Sequence, residues 1–141
     1  MGSDLIRNIK IVQAIAPIHA TTGHAITATE VYATGWSRAI WIINVGAMDA
    51  LAVGEVEVQS SASSGGTFTD VTSAALTDFA STAGSAGVYL IEHAVEASYP
   101  YLKLAATCGT ARAVVGGVCL LYQRGGGVAR VDHGAREIVD L

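Results

Sequence analysis

The sequence predicts an all-β fold: a two-sheet antiparallel sandwich, jelly-roll-like, with N- and C-terminal extensions. Three observations carry this. Short runs of β-branched and aromatic residues recur between clusters of Gly, Ser, Asp and Thr. No 3.6-residue apolar period persists for ten residues. One long small-residue stretch, Thr72 to Gly87, interrupts the series as the crossover of a Greek key does.

The runs define eight expected strands: Asn8 to Ile15, His24 to Tyr32, Arg38 to Val45, Ala52 to Gln59, Thr67 to Val71, Val88 to Val95, Tyr101 to Thr107 and Arg112 to Gln123. In the fourth, alternation sends Val56 and Val58 inward and Glu55, Glu57 and Gln59 to water. The runs Ile40-Trp41-Ile42-Ile43 and Val118-Cys119-Leu120-Leu121 are apolar on both faces. They suit central strands covered on both sides, or strands partly covered by another subunit.

Ser60 to Gly66 reads as a flexible connection between two strands, and Cys108-Gly109 as a tight hairpin turn. The crossover is expected to tuck Leu76 and Phe79 beneath itself. A hairpin at Cys108-Gly109 would leave Cys119 roughly 30 Å along the returning strand, beyond disulfide reach, so two buried free thiols are expected. An immunoglobulin-like sandwich is the competing architecture. Its Cys…Trp…Cys order is absent, because Trp36 and Trp41 both precede Cys108 and Cys119.

Two segments follow from this: a sandwich domain over 1–124 with a short N-terminal extension, and a glycine hinge with a C-terminal arm over 125–141. Gly125-Gly126-Gly127 frees the chain to swing. Beyond it, Val128, Val131, Ile138, Val139 and Leu141 are more apolar than a solvated tail usually is. We expect the arm to contact a neighbour, with Arg130, Asp132, Arg136, Glu137 and Asp140 fixing register through charge.

Composition narrows the function. The 141 residues suffice for a core without metal or disulfide. Charged residues make up 14% and the net charge of −4 contains no Lys/Arg cluster, which argues against direct nucleic-acid binding. No apolar run approaches the ~20 residues that span a bilayer, and the start MGSDLIRNIK lacks the apolar core of a signal peptide. We therefore expect no membrane partner and a protein made and used without export.

Catalytic motifs are not found: no nucleophile elbow, no phosphate loop, no dinucleotide-binding glycine pattern, no His-Glu-x-x-His. His19 and His24 have loop spacing and no further ligand nearby in sequence. His93 follows Glu92 on a strand, so the two face opposite ways. His133 lies in the arm, beyond the glycine hinge. Glu55 and Glu57 share a face about 7 Å apart, a spacing that solubility explains better than sugar hydrolysis. The expectation is a non-enzymatic protein with no cofactor. Trp36, in the turn Thr34 to Ser37, and Tyr99, beside Pro100, are the aromatic candidates for partner contact.

Four segments in order carry a family likeness: Val56-Glu57-Val58-Gln59-Ser60-Ser61, Gly65-Gly66-Thr67-Phe68-Thr69-Asp70-Val71, Tyr99-Pro100-Tyr101-Leu102-Lys103-Leu104 and Val118-Cys119-Leu120-Leu121. Over residues 40–122 the chain resembles small structural proteins of tailed bacteriophages. Among them it is most similar to the capsid cement, or decoration, proteins of Bordetella podophages. It departs from that pattern with Ser-Ala-Ser-Ser at 61–64 in place of an acidic turn, and with Lys103 in place of Arg.

The resemblance implies a jelly roll on the outer surface of the virion capsid. There it would bridge neighbouring major capsid protein subunits, as a homo-oligomer with a dimer favoured, after synthesis in the host cytoplasm. The alternative functions are a tail-associated β module or a carbohydrate-binding module, the latter needing Trp36 and Tyr99 exposed and coplanar in a groove.

Overall fold

The computed structural model describes residues 9–20, 26, 28–48, 53–76, 86–108, 113–123 and 137–140. Of 20, 47–48, 53–55, 107–108, 113 and 137–140 it describes the backbone alone. Nine strands form: β1 (Ile9–Ala20), β2 (Val31–Tyr32), β3 (Arg38–Met48), β4 (Val53–Ser61), β5 (Thr69–Leu76), β6 (Gly87–Ala94), β7 (Tyr101–Cys108), β8 (Ala113–Tyr122) and β9 (Glu137–Asp140). They make one five-stranded sheet, β1-β8-β3-β6-β9, and one four-stranded sheet, β2-β7-β4-β5.

The first eight strands have the pairing of a rolled-up hairpin. The first strand pairs with the eighth, the second with the seventh, the third with the sixth and the fourth with the fifth, all antiparallel. Further antiparallel pairs, β3 with β8 and β4 with β7, join these ribbons into two sheets. This is the jelly-roll arrangement of a β-sandwich.

Alternation along each strand builds the core between the sheets. From the five-stranded sheet come Ala39, Trp41, Ile43 and Val45 of β3, Tyr89 and Ile91 of β6, and Val115, Cys119 and Leu121 of β8. Val56 and Val58 of β4, Ala74 and Leu76 of β5, and Leu102, Leu104 and Ala106 of β7 meet them; all these residues are buried. The inward placement of Val56, Val58 and Trp41 agrees with the sequence pattern, as do the outward Glu57 and Gln59, each half-buried. Leu76 is buried as expected, but within β5 instead of beneath a loop. Phe79 lies outside the described residues.

Three expectations need correction. The segment around Cys108-Gly109 is not a hairpin turn, because β7 lies in the four-stranded sheet and β8 in the other. The chain changes sheets there, and Gly marks such a change and a hairpin equally well. Cys119 is a buried free thiol, as expected; the side chain of Cys108 is outside the described residues. The Ser60–Gly66 connection, by contrast, does join two paired strands, with Ser60 opposite Thr69. Gly65 supplies the positive φ that its turn requires (64°).

The second correction concerns the expected strand from His24 to Tyr32, of which only Val31–Tyr32 is strand. Ile26 N–H donates to Ala106 O of one sheet and Thr29 N–H to Ala14 O of the other, at 3.0 and 2.7 Å. A segment whose backbone bonds are divided between two sheets cannot form one ladder.

The third concerns the C-terminal arm. Glu137–Asp140 pairs in parallel with β6 of its own chain, Glu137 opposite Tyr89 and Ile138 opposite Leu90. The end of the arm is thus a fifth strand of the domain's own sheet, whereas a neighbour's surface was expected. Its short alternation of charged and apolar residues gives no stronger strand signal than a solvated tail would. The hinge itself, with Val128, Arg130, Val131, Asp132, Arg136 and Leu141, lies outside the described residues, as does the N-terminal extension 1–8.

Candidate functional site

The outer face of the five-stranded sheet is where structure departs from the usual polar exterior of a sandwich. Because Trp41, Ile43, Cys119 and Leu121 point inward, Ile40, Ile42, Val118 and Leu120 must point out. Register sets them in rows across the strands. One row runs Ile11, Leu120, Ile40, Glu92; the next runs Gln13, Val118, Ile42, Leu90. Val88 and Val114 extend the apolar area and are 38% and 39% exposed, and Ile11 is 62% exposed. Ile40, Ile42, Val118 and Leu120 are each half-buried.

One rim of this face is polar and ordered. Arg38 Nε donates to Glu92 Oε1 at 3.0 Å, and the Tyr122 hydroxyl donates to the same oxygen. Arg38, Glu92 and Tyr122 come from β3, β6 and β8, so their cluster ties three strands together. Burial, and then the bond to Glu92, push the Tyr122 phenol up from its ordinary value. An apolar centre with a charged, hydrogen-bonded border is the anatomy of a protein-binding patch.

The opposite outer face is polar by comparison. Gln59 donates to Asp70 at 2.8 Å, Lys103 Nζ sits 4.2 Å from the centre of the Phe68 ring, and Tyr32 lies against Tyr101 with ring centres 5.0 Å apart. At its edge the Glu30 carboxylate accepts from Gly65 N–H and Ser64 Oγ, which holds it below the ordinary carboxylate range. This face is suited to water.

An open cleft of about 410 Å³ lies beside β5 and β6, lined in part by Ser60, Asp70, Thr72, His93, Glu96 and Tyr99. His93 is buried, and its two nitrogens are committed within the fold. Nε2 accepts from Trp41 Nε1 at 2.9 Å, and Nδ1 lies 2.8 Å from Ala94 O. That pattern requires a neutral ring with its proton on Nδ1. Burial, ahead of the positive charge of Arg38, pulls the His93 pKa down. Glu92 points to the other face, as strand alternation requires, so no acid–base pair forms with it.

A pH dependence follows. His93 has a folded pKa below its unfolded value, so its contribution to stability is complete above about pH 6.5 and is lost as pH falls toward the folded value. Only the unfolded chain takes up the proton in that window. Thermal melts should therefore show stability falling below pH 6.5, by at most about 1.4 kcal/mol per unit from this group. The variant His93→Gln, whose amide oxygen can still accept from Trp41, should lack this component. An equal slope in both proteins would refute the assignment.

The aromatic candidates separate. Trp36 is half-buried and packs against the chain's own core, so it does not project as an anchor; its backbone N–H donates to Ala33 O at 3.1 Å in the turn. Tyr99 is 43% exposed on the rim of the cleft. The pair of exposed rings that a sugar platform needs is thus not formed by these two residues. Ile138 pairs through its backbone opposite Leu90 of β6, within its own chain. Sequence alternation signalled the face itself through two runs apolar on both sides, but it did not signal Ile11, Leu90 or the Arg38, Glu92 and Tyr122 rim.

Burial raises the Cys119 thiol to a pKa of about 12, so it is protonated and sheltered. Among the described residues no three His, Cys, Asp or Glu side chains are grouped to hold a metal ion, and no helix is long and apolar enough to cross a membrane.

Fold and surface together define a jelly-roll β-sandwich with one apolar outer sheet face. Comparison with protein-family models, with curated proteins and with solved structures finds no match to this chain.

Proposed function

We propose that this chain is a non-enzymatic structural protein that binds the outside of a phage capsid and stabilises it by bridging neighbouring major capsid protein subunits. The observation that carries the reading is the apolar outer face on which Ile11, Val88 and Val114 are exposed and Ile40, Ile42, Val118 and Leu120 are half-buried. Covering such a face with a partner removes apolar surface from water, at roughly 25 cal/mol per Å² before the losses of association are counted. The resemblance over residues 40–122 supports capsid subunits as the partner of that face. The protein acts as a homodimer and needs no cofactor, nucleic acid or membrane.

A shell multiplies modest contacts. A bivalent unit holding two neighbouring subunits engages the second at high effective concentration, so an individually weak interface resists internal pressure through avidity.

Purified protein should co-sediment with undecorated phage shells, saturate at a fixed ratio to capsid subunits, and be displaced by unlabelled protein. Absence of binding to shells at concentrations well above the number of subunits would overturn the capsid reading.

A further inference from the structure

We infer that the first half of β1, Ile9 to Gln13, is the edge on which two copies of this chain pair, antiparallel across a twofold axis, to fuse their five-stranded sheets. The inference deepens the homodimer part of the proposed function and does not depend on the capsid part.

A sheet edge with unpaired backbone groups recruits another strand unless something blunts it. Three of the four edges of this sandwich are blunted. β2 is only two residues long. The pairing of β5 with β4 breaks between Asp70 and Ala75, opposite Gln59 and Glu57, and Ser73 there takes a left-handed φ of 63°, which bends that edge out of a regular ladder. Beyond β6 the edge is β9, which is only four residues long and begins and ends on acidic residues, Glu137 and Asp140.

The second half of β1 is protected as well. It bulges between Gln13 and Ile15 and again between Ile15 and Ile18, and Pro17 lies in the second irregularity. Gly116 lets the bulged chain approach, since a Cβ there would meet Pro17 Cα at 3.3 Å. Ala14 and Ile15 are already engaged, by Thr29 N–H and by a bridge to Ala28.

Ile9 to Gln13 has none of these devices. It runs in unbroken register with β8, from Ile9 opposite Tyr122 to Gln13 opposite Val118, and among the described residues no strand pairs with its other side. At its centre stands Ile11, the most exposed large apolar side chain among the described residues. Lys10, the one charge in the stretch, is turned to its own chain and donates to Tyr32 O at 3.4 Å. It therefore does not guard the edge as an outward lysine would.

Extended backbone is what an open strand edge recognises, and a second copy fits this one. Antiparallel self-pairing centred on Ile11 sets Ile11 against Ile11 of the second copy and Ile9 against Gln13. The apolar row Ile40, Leu120, Ile11 then continues across the axis into its own repeat. The two outer faces become one apolar surface, which is the bivalent unit that bridging requires. The pairing is small, so the free dimer should dissociate on dilution.

Light scattering on the full chain at about 100 µM should give twice the chain mass of 14.4 kDa, falling toward the monomer on dilution. Ile11→Lys should weaken dimerisation at least tenfold with circular dichroism and melting temperature unchanged, because the side chain is exposed in the monomer. Mild oxidation of Ile11→Cys should yield a covalent dimer, whereas Val118→Cys and the wild type should not. A monomeric wild type at that concentration, a dimer indifferent to Ile11→Lys, or cross-linking through position 118 instead of 11 would overturn the inference. Shell binding by a strictly monomeric protein would remove this dimer and leave the capsid reading standing; a β1 dimer that ignores shells would do the reverse.

Discussion

Trp41→Ala will destabilise the domain by about 3–5 kcal/mol, read as a shift in the urea or thermal unfolding midpoint. Trp41 is fully buried in the middle of β3, between Ile91 of β6 and Cys119 of β8 in the ladder. Truncation removes the indole from the core and leaves a cavity that neighbouring strands, held in register on both sides, cannot collapse into. It also strips His93 Nε2 of the donor 2.9 Å away. An unpartnered buried acceptor costs about 1–3 kcal/mol. Trp41→Phe separates the two effects, since it restores most of the volume and none of the hydrogen bond. A loss below about 1 kcal/mol for Trp41→Ala would mean that the two sheets do not pack over this residue.

The second large effect is on binding. The double variant Ile42→Glu with Val118→Glu should weaken attachment to shells at least ~100-fold while leaving the melting temperature nearly unchanged. Both side chains point out of the five-stranded sheet and are only half-buried, so the folded monomer can hold charges there in water. A partner seated on the face would instead have to bury two carboxylates without counter-ions, and each costs several kcal/mol. They occupy directly opposed positions on β3 and β8, so their repulsion also falls on the free domain, at up to about 1 kcal/mol in water, small beside the loss of binding. Retention of full affinity would show that attachment uses another surface. The polar opposite face offers the natural control: Gln59→Ala, which removes only an exposed bond to Asp70, should leave both binding and stability in place.

These expectations also show how the sheet faces divide their work. The inner rows hold the sandwich together, with His93 placed among them as a neutral ring that joins β6 to β3. The outer rows of the five-stranded sheet, half-buried at Ile40, Ile42, Val118 and Leu120, are the ones the proposed partner would cover. Arg38, Glu92 and Tyr122 keep three strands aligned at the rim, where a slip of one residue would exchange the inner and outer rows.

The sequence by itself determined the β class, the inward Val56 and Val58, the core position of Trp41, and the existence of strands apolar on both faces. Each of these is written in period-two alternation within a single strand, a local property. Only the tertiary structure decided which strands share a sheet, because turn residues such as Cys108-Gly109 permit a hairpin and a change of sheets alike. It also decided that Glu137–Asp140 closes the β6 edge, that the His24 to Tyr32 segment divides its hydrogen bonds between sheets, and that Trp36 packs on its own core. The rim joins residues 54 positions apart in Arg38 and Glu92, and the Ile9 to Gln13 edge is marked only by the lack of a second pairing strand among the described residues. Long-range pairing is selected by the packing of the whole sandwich, so no window of neighbouring residues contains it.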